Sequence, residues 1–299
     1  MVKSTQVLPL PKSIHTLIED INGVLDGKGG WDAAITEYLS STIAEVAEER
    51  FGDAEERPRD TLSLSGIGKP CERQLWAKVN EPEDQEVIGP ELKGTFFYGD
   101  LLEALVISLA KAAGHDVQGE QDVLYVNGIK GHRDCVIDGW TVDVKSASDF
   151  SFDKFKKGQL ALNDPFGYLS QLSSYLYAAK DDPLVIEKNK AAFLVIKKNR
   201  FELCLDVHDF THRLPHKEAE IQHKKDMVKG PMPPIPVAAA PIPQSKTSPN
   251  MKLSTLCTYC HRKHKCFPGL RSFEYSGGLS HLTKVVKVPN VPEVGVKPF

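Results

Sequence analysis

The chain has 299 residues, of which 41% are hydrophobic and 26% charged. That is the balance of a folded globular protein, and it excludes a disordered, collagen-like or fibrous chain. The net charge of −3 makes no global case for nucleic acid, but the charge is uneven: residues 1–90 carry 9 Lys/Arg against 17 Asp/Glu, while residues 91–299 carry 28 against 23. No apolar run reaches the roughly 18 residues of a membrane span. The first residues lack the apolar stretch of a secretory signal, so a cytoplasmic location is expected. Six cysteines in such a chain suggest metal binding or catalysis rather than a disulfide framework.

In chain order, three-to-four spacing of apolar residues predicts helices over Ser13–Leu25 and Trp31–Phe51. In the second, Ala34, Ile35, Tyr38, Leu39, Ile43 and Val46 form one stripe. An acidic loop, Gly52–Asp60, follows. A short helix is expected to start near Pro70 and run through Cys71 to Val79, and another to run from about Phe97 to Ala113, stopped by Gly114. The period then changes to two. Asp122–Val126, Gly131–Ile137 and Thr141–Lys145 read as strands, the last two joined by an Asp138-Gly139 turn. Phe166–Ala179 is helical, Ala192–Lys197 and Phe201–Val207 form a hairpin, and Asp209–Val228 is a polar helix. Seven prolines between Pro231 and Pro249 predict an extended connector. A cysteine segment and a tail close the chain. The expected division is a helical region (1–60), a core (61–230), the connector (231–250) and the cysteine segment with its tail (251–299).

Strand alternation places Asp143 and Lys145 on one face, with the Val144 side chain pointing away, and Asp134 on the neighbouring strand. Two carboxylates suit a hard divalent cation. A lysine beside them can orient an attacking water, a combination fitted to phosphodiester hydrolysis. Asp-x-Lys alone is common, and its neighbours give it meaning. Gly99 and Glu103 lie ahead of it on a helix, and Gln171 and Tyr175 lie behind it on one helical face. Asp138, in the turn, is explained by backbone geometry. His132 shares a strand face with Asp134.

Cys257 and Cys260 form C-x2-C, followed by Cys266, and Cys71 stands far upstream. The pattern reads as a metal site. Thiolates hold zinc or an iron–sulfur cluster, and spacing alone does not decide between them. His261 and His264 could replace a cysteine around zinc. Cys135 and Cys204 lie within strands and read as small buried hydrophobes. Clusters at Lys154, Lys156 and Lys157, at Lys197, Lys198 and Arg200, and at Arg262, Lys263 and Lys265 are permissive for DNA. No G-x-x-x-x-G-K-[ST] motif occurs, so no P-loop motor is expected.

The ordered set Gly99/Glu103, Gly131/Asp134, Asp143/Lys145 and Gln171/Tyr175 resembles the RecB-like branch of the PD-(D/E)XK nuclease superfamily. That branch includes lambda-type exonucleases and CRISPR-adaptation nucleases. The resemblance covers roughly residues 61–266. It implies an α/β fold with a restriction-endonuclease-like core: a central mixed sheet flanked by helices, a helical N-terminal region and a C-terminal cysteine-cluster segment. It implies a DNA nuclease, most simply an exonuclease acting on single strands or ends in recombination, repair or degradation, with a phage or bacterial setting by analogy. Asp134, Asp143 and the Val144 carbonyl would hold Mg2+ or Mn2+, with Glu103 direct or through water. Lys145 would position the water, and Gln171 and Tyr175 would contact the DNA backbone. Cys71, Cys257, Cys260 and Cys266 would hold a 4Fe–4S cluster, zinc being the other occupant. A recombination or helicase protein is the implied partner. The alternative is a non-catalytic iron–sulfur or zinc component that grips DNA. Two positions depart from the pattern: Asp143 stands where Glu is common, and Glu103 where the CRISPR-adaptation nucleases carry His.

Overall fold

The computed structural model describes residues 12–52, 60–82 and 89–295. Most of the expected acidic loop after Gly52 therefore lies outside the described residues. The fold is mixed α/β. Its centre is a five-stranded sheet in the order β1 (Val117–Gln118), β4 (Cys135–Ile137), β5 (Trp140–Ala147), β6 (Lys190–Lys197), β7 (Leu203–Asp209). All neighbours are antiparallel except β5 and β6, which run parallel. A parallel pair needs a crossover. Here it is made by α6 (Asp149–Lys156) and α7 (Tyr168–Ala178), which cover one face of the sheet.

Side chains along β5 and β6 alternate between two cores. Val142, Val144, Leu194 and Ile196 pack toward α1 (Leu17–Leu25) and α5 (Pro90–Ala112), meeting Leu17, Ile21, Val106 and Leu109. Ala147, Phe193 and Val195 pack toward α6 and α7, meeting Phe152, Phe155, Leu172 and Leu176. Both faces are thus covered, as the β-branched runs of these strands demand. Cys135 is fully buried in the first core and Cys204 is buried in the second.

Several elements differ from the sequence reading. Gly131–Ile137, expected as one strand, is two. β3 (Ile129–His132) pairs with β2 (Val123–Val126) in a separate two-stranded sheet, while β4 joins the central sheet. The chain breaks at Arg133 and Asp134 because the buried Arg133 leaves the ladder to bridge Asp122 and Asp182 at 2.5 Å each. α2 (Ala33–Phe51) keeps its expected length but buries none of its residues, and only Tyr38 of the stripe packs against the main core. α5 begins at Pro90 rather than Phe97, since proline at the first turn costs no hydrogen bond. The polar helix is α8 (Leu214–Met227), because Asp209 belongs to β7.

The expected C-terminal tail carries a second sheet. Its order is β12 (Glu293–Val294), β10 (Arg271–Tyr275), β11 (Gly278–Lys284), β9 (Met251–Lys252), β8 (Ile242–Pro243), all antiparallel. The proline-rich stretch is strapped to α4 (Glu72–Asn80). Arg73 Nη1 donates to Pro233 O at 2.9 Å and Trp76 Nε1 donates to Gly230 O at 2.8 Å. Two short helices, α9 (Thr255–Thr258) and α10 (Lys263–Cys266), carry the three C-terminal cysteines or border them. Among the described residues no helix is long and apolar enough to cross a membrane.

Candidate active site

Asp143 and Lys145 project from β5 on the α7 side, and Lys145 Nζ lies 2.5 Å from Asp143 Oδ2. Asp143 is only 1% exposed. Asp134 sits at the break between β3 and β4 rather than within a strand, which frees its side chain to turn back to β5. Its Oδ2 accepts from Val144 N at 2.7 Å. The amide of Val144 is therefore spent on Asp134, while its side chain packs in the core. Glu103 reaches the same place from α5, and Gln121 Nε2 donates to its Oε1 at 2.9 Å. From α7, Gln171 Nε2 donates to Asp143 Oδ1 at 3.2 Å.

Three carboxylates thus share one partly enclosed site with one ammonium. Burial pushes the Asp134 carboxyl well above its ordinary range, and the Asp143 and Glu103 charges push it further, against Lys145 and the Val144 amide. Burial also raises Asp143, opposed by Lys145. Glu103 is raised to about 7 by burial, with Asp143 and Asp100 adding to it and Lys145 opposing. Burial alone would lower the Lys145 ammonium, but Asp143 and Asp134 outweigh it and raise it above its usual value. Lys145 is accordingly a fixed cation here, able to orient a water or offset charge on a phosphate oxygen.

The site opens onto a cavity of about 710 Å³. Glu103, Asp134, Gln171, His132 and Lys130 line one side, and Tyr38, Thr42, Glu45 and Glu49 of α2 line the other. Arg50 Nε donates to Asp100 Oδ2 at 2.7 Å and ties the end of α2 to α5. The glycine of the Gly131/Asp134 pair has a packing reason. A Cβ there would lie 2.6 Å from Leu64 Cβ and 2.9 Å from Tyr175 Cε1.

Tyr175 is 3% exposed and belongs to the core around Leu64 and Ile129. It also lines the cavity beside Gln171. His132 is exposed, with Nδ1 3.3 Å from Gln121 O. Asp138 is in the left-handed region at φ 50, 2.7 Å from His115 Nδ1, and holds a turn away from the site. Two contributors were missed in the sequence. Gln121, at φ 56, offers no pattern that would reveal it. Tyr168, whose ring centroid is 5.6 Å from Lys145 Nζ, is three and seven residues before Gln171 and Tyr175, a helical spacing that could have revealed it.

Cys71, Cys257, Cys260 and Cys266 line one cavity together with Arg73, Pro236 and Phe267. Burial raises the thiols of Cys71 and Cys257, and that of Cys260 to about 11. Cys71 precedes α4 directly, and the loop before it is pressed onto α7. A Cβ on Gly167 would stand 1.8 Å from Gly68 O, and Gly167 is itself in the left-handed region at φ 76. Among the described residues, no group of three or more His, Cys, Asp or Glu side chains is already arranged to hold a metal ion.

No family model matches the chain, and no curated protein matches it. Two of the solved structures that match it do so weakly. One is SSO0001, at 15% identity over 78% of this chain and 96% of that one, with a TM-score of 0.39. The other is an alkaline exonuclease, LHK-Exo, from Laribacter hongkongensis, at 11% identity over 55% of this chain and 89% of that one, with a TM-score of 0.30. Both likenesses are weak, and the site is read from its own residues.

Proposed function

We propose that this chain is a divalent-metal-dependent deoxyribonuclease of the PD-(D/E)XK type, acting as an exonuclease. The observation that carries the reading is the convergence of Asp134, Asp143 and Glu103 around the Lys145 ammonium, with Gln171 bonded to Asp143. Burial raises all three carboxyls, Asp143 and Glu103 raise Asp134 further, and Asp143 raises Glu103, so they are a donor set suited to a hard cation whose positive charge offsets this cost. Glu103, Asp134, Asp143 and the Val144 carbonyl would hold Mg2+ or Mn2+. That ion would supply a more acidic water and a counter-charge for the phosphate.

The protein's own groups do the rest. Lys145 aligns the attacking water and offsets charge growing on a nonbridging oxygen. Asp143 holds that ammonium in place, and Gln171 holds Asp143. Gln121 fixes the Glu103 carboxylate. The four cysteines supply an all-sulfur donor set of the kind that takes a 4Fe–4S cluster, zinc being the alternative. Held there, such a group would join the loop before α4 to the segment 186 positions later.

End-labelled single- and double-stranded DNA tests the reading. Wild-type protein should shorten it progressively with Mg2+ or Mn2+ and not in EDTA. Lys145→Ala and Asp143→Asn should lower the rate by about 100-fold or more while the folded far-UV spectrum is kept. Undiminished cleavage by purified Lys145→Ala protein overturns the assignment.

A further inference from the structure

The surroundings of Lys145 continue outward as a row of rings. Lys145 Nζ stands 5.6 Å from the Tyr168 centroid, and Tyr168 stands 5.5 Å from Phe166, tilted by 33°. Phe166 in turn lies 6.3 Å from Tyr259, tilted by 41°. Two segments supply the row: the entry to α7, and the loop between Cys257 and Cys260. Exposure rises along it, from the half-buried Tyr168 to Phe166 at 41% and Tyr259 at 78%.

A single exposed aromatic needs no explanation. Three in contact, leading from a fixed ammonium to solvent, form a continuous feature. The outer two rings bury too little of themselves to be there for the core. Their backbones are firmly held. Gly167, beside Phe166, is pressed against Gly68, and Asp164 accepts from the amides of Tyr168 and Leu169 at 2.9 Å each. Tyr259 stands between two buried cysteines. The exposed Lys69, next to Gly68, adds a cation at the same junction.

A row of rigid rings that begins at a cation matches the chemistry of unpaired nucleic acid, in which each nucleotide offers a π-face and a negative charge. We propose that Phe166 and Tyr259 form a stacking platform for the unpaired bases of single-stranded DNA, running from the Asp143–Lys145 site toward the cysteine segment. Paired bases in a duplex show no free face, so the platform selects single strands. The placement of the scissile phosphate at Lys145 rests on the nuclease reading; the stacking itself does not.

Binding of fluorescently labelled oligonucleotides by anisotropy, without added divalent cation, tests this apart from cleavage. Phe166→Leu and Tyr259→Leu should each weaken single-strand binding roughly tenfold and leave duplex binding unchanged. Tyr259→Trp, which keeps a ring, should bind single strands at least as tightly as wild type. Unchanged single-strand affinity in both leucine variants, an equal loss for duplex, or wild-type protein that binds no single strand overturns the platform. Aromatic-dependent binding without Mg2+-dependent cleavage would instead overturn the nuclease reading and leave the platform standing. Cleavage with ring-independent binding would do the reverse.

Discussion

The carboxylate site and the cysteine cavity are built by opposite means. Asp134, Asp143 and Lys145 lie within twelve residues, and regular elements aim them: β5 sets two of them on one face, and the break before β4 supplies the third. The cysteines lie at the ends of short helices and in loops, in two segments that only the tertiary fold brings together. The first site gathers like charges and works against folding. The second gathers thiols, and burial favours the protonated form of Cys71, Cys257 and Cys260, so it burdens the fold little until a metal draws the protons off. A site that opposes folding must be held by the scaffold. A site made of loops must itself do some of the holding.

Removing a cysteine should therefore have the largest structural effect. If the four thiolates hold the proposed 4Fe–4S cluster, anaerobically purified protein is brown, and serine at Cys71, Cys257, Cys260 or Cys266 abolishes that colour and sharply reduces solubility. Metal ligation linked to folding is worth on the order of 10 kcal/mol in small thiolate sites. Cys135→Ser and Cys204→Ser should keep the colour, since both side chains pack in the sheet cores. Visible absorption and iron content check this. A colourless preparation holding about one zinc and no iron would leave the cross-link in place and refute the cluster.

This contrast also explains what could be read in advance. The mixed α/β class and the flanking helices were legible because apolar period marks elements wherever one face is buried. Asp143 and Lys145 were legible as a same-face pair because period two fixes their side. Asp134 was placed on a continuous strand because nothing local shows that Arg133 turns inward to Asp122 and Asp182. In the second sheet β8, β9 and β12 are two residues long, too short for alternation to register, whereas the β10–β11 hairpin around Ser276-Gly277 had a legible turn. The stripe on α2 was visible, but the helix borders a cavity, so of its apolar residues only Tyr38 packs against the main core. Gln121 is placed by loop geometry alone.

The two sites meet where Gly68 touches Gly167, and that contact should be the next most sensitive position. Gly167→Ala introduces a Cβ 1.8 Å from Gly68 O at a residue with φ 76, combining backbone strain with a clash that only movement of the Cys71 loop can relieve. The expected loss is roughly 2–4 kcal/mol. Gly158→Ala is the control: its φ is 62 but nothing lies within 4 Å of the added Cβ, so only the strain of about 1 kcal/mol remains. Urea midpoints of the two variants measure the difference. Equal losses would mean that the cysteine loop and α7 are not locked together.

The smallest expected effect is the one that reports most directly on the opposed charges. Glu103 titrates near 7 in the folded chain against 4.5 when unperturbed. Below pH 4.5 both folded and unfolded states hold the proton and no penalty arises. Between 4.5 and 7 the folded state holds it while the unfolded state has lost it, so stability contributed by this group falls as pH rises through that window. Above 7 the full penalty is present. Glu103→Gln removes the titration while keeping an oxygen that can accept from Gln121. In metal-free protein the variant should melt a few degrees above wild type at pH 8, with the gap closing toward pH 5. Added Mg2+ should raise the wild-type melting point and narrow the gap at pH 8, because a bound cation offsets the charge that the substitution deletes. A gap of the same size at both pH values would show that the Glu103 carboxylate does not carry the cost of burial and like charge ascribed to it.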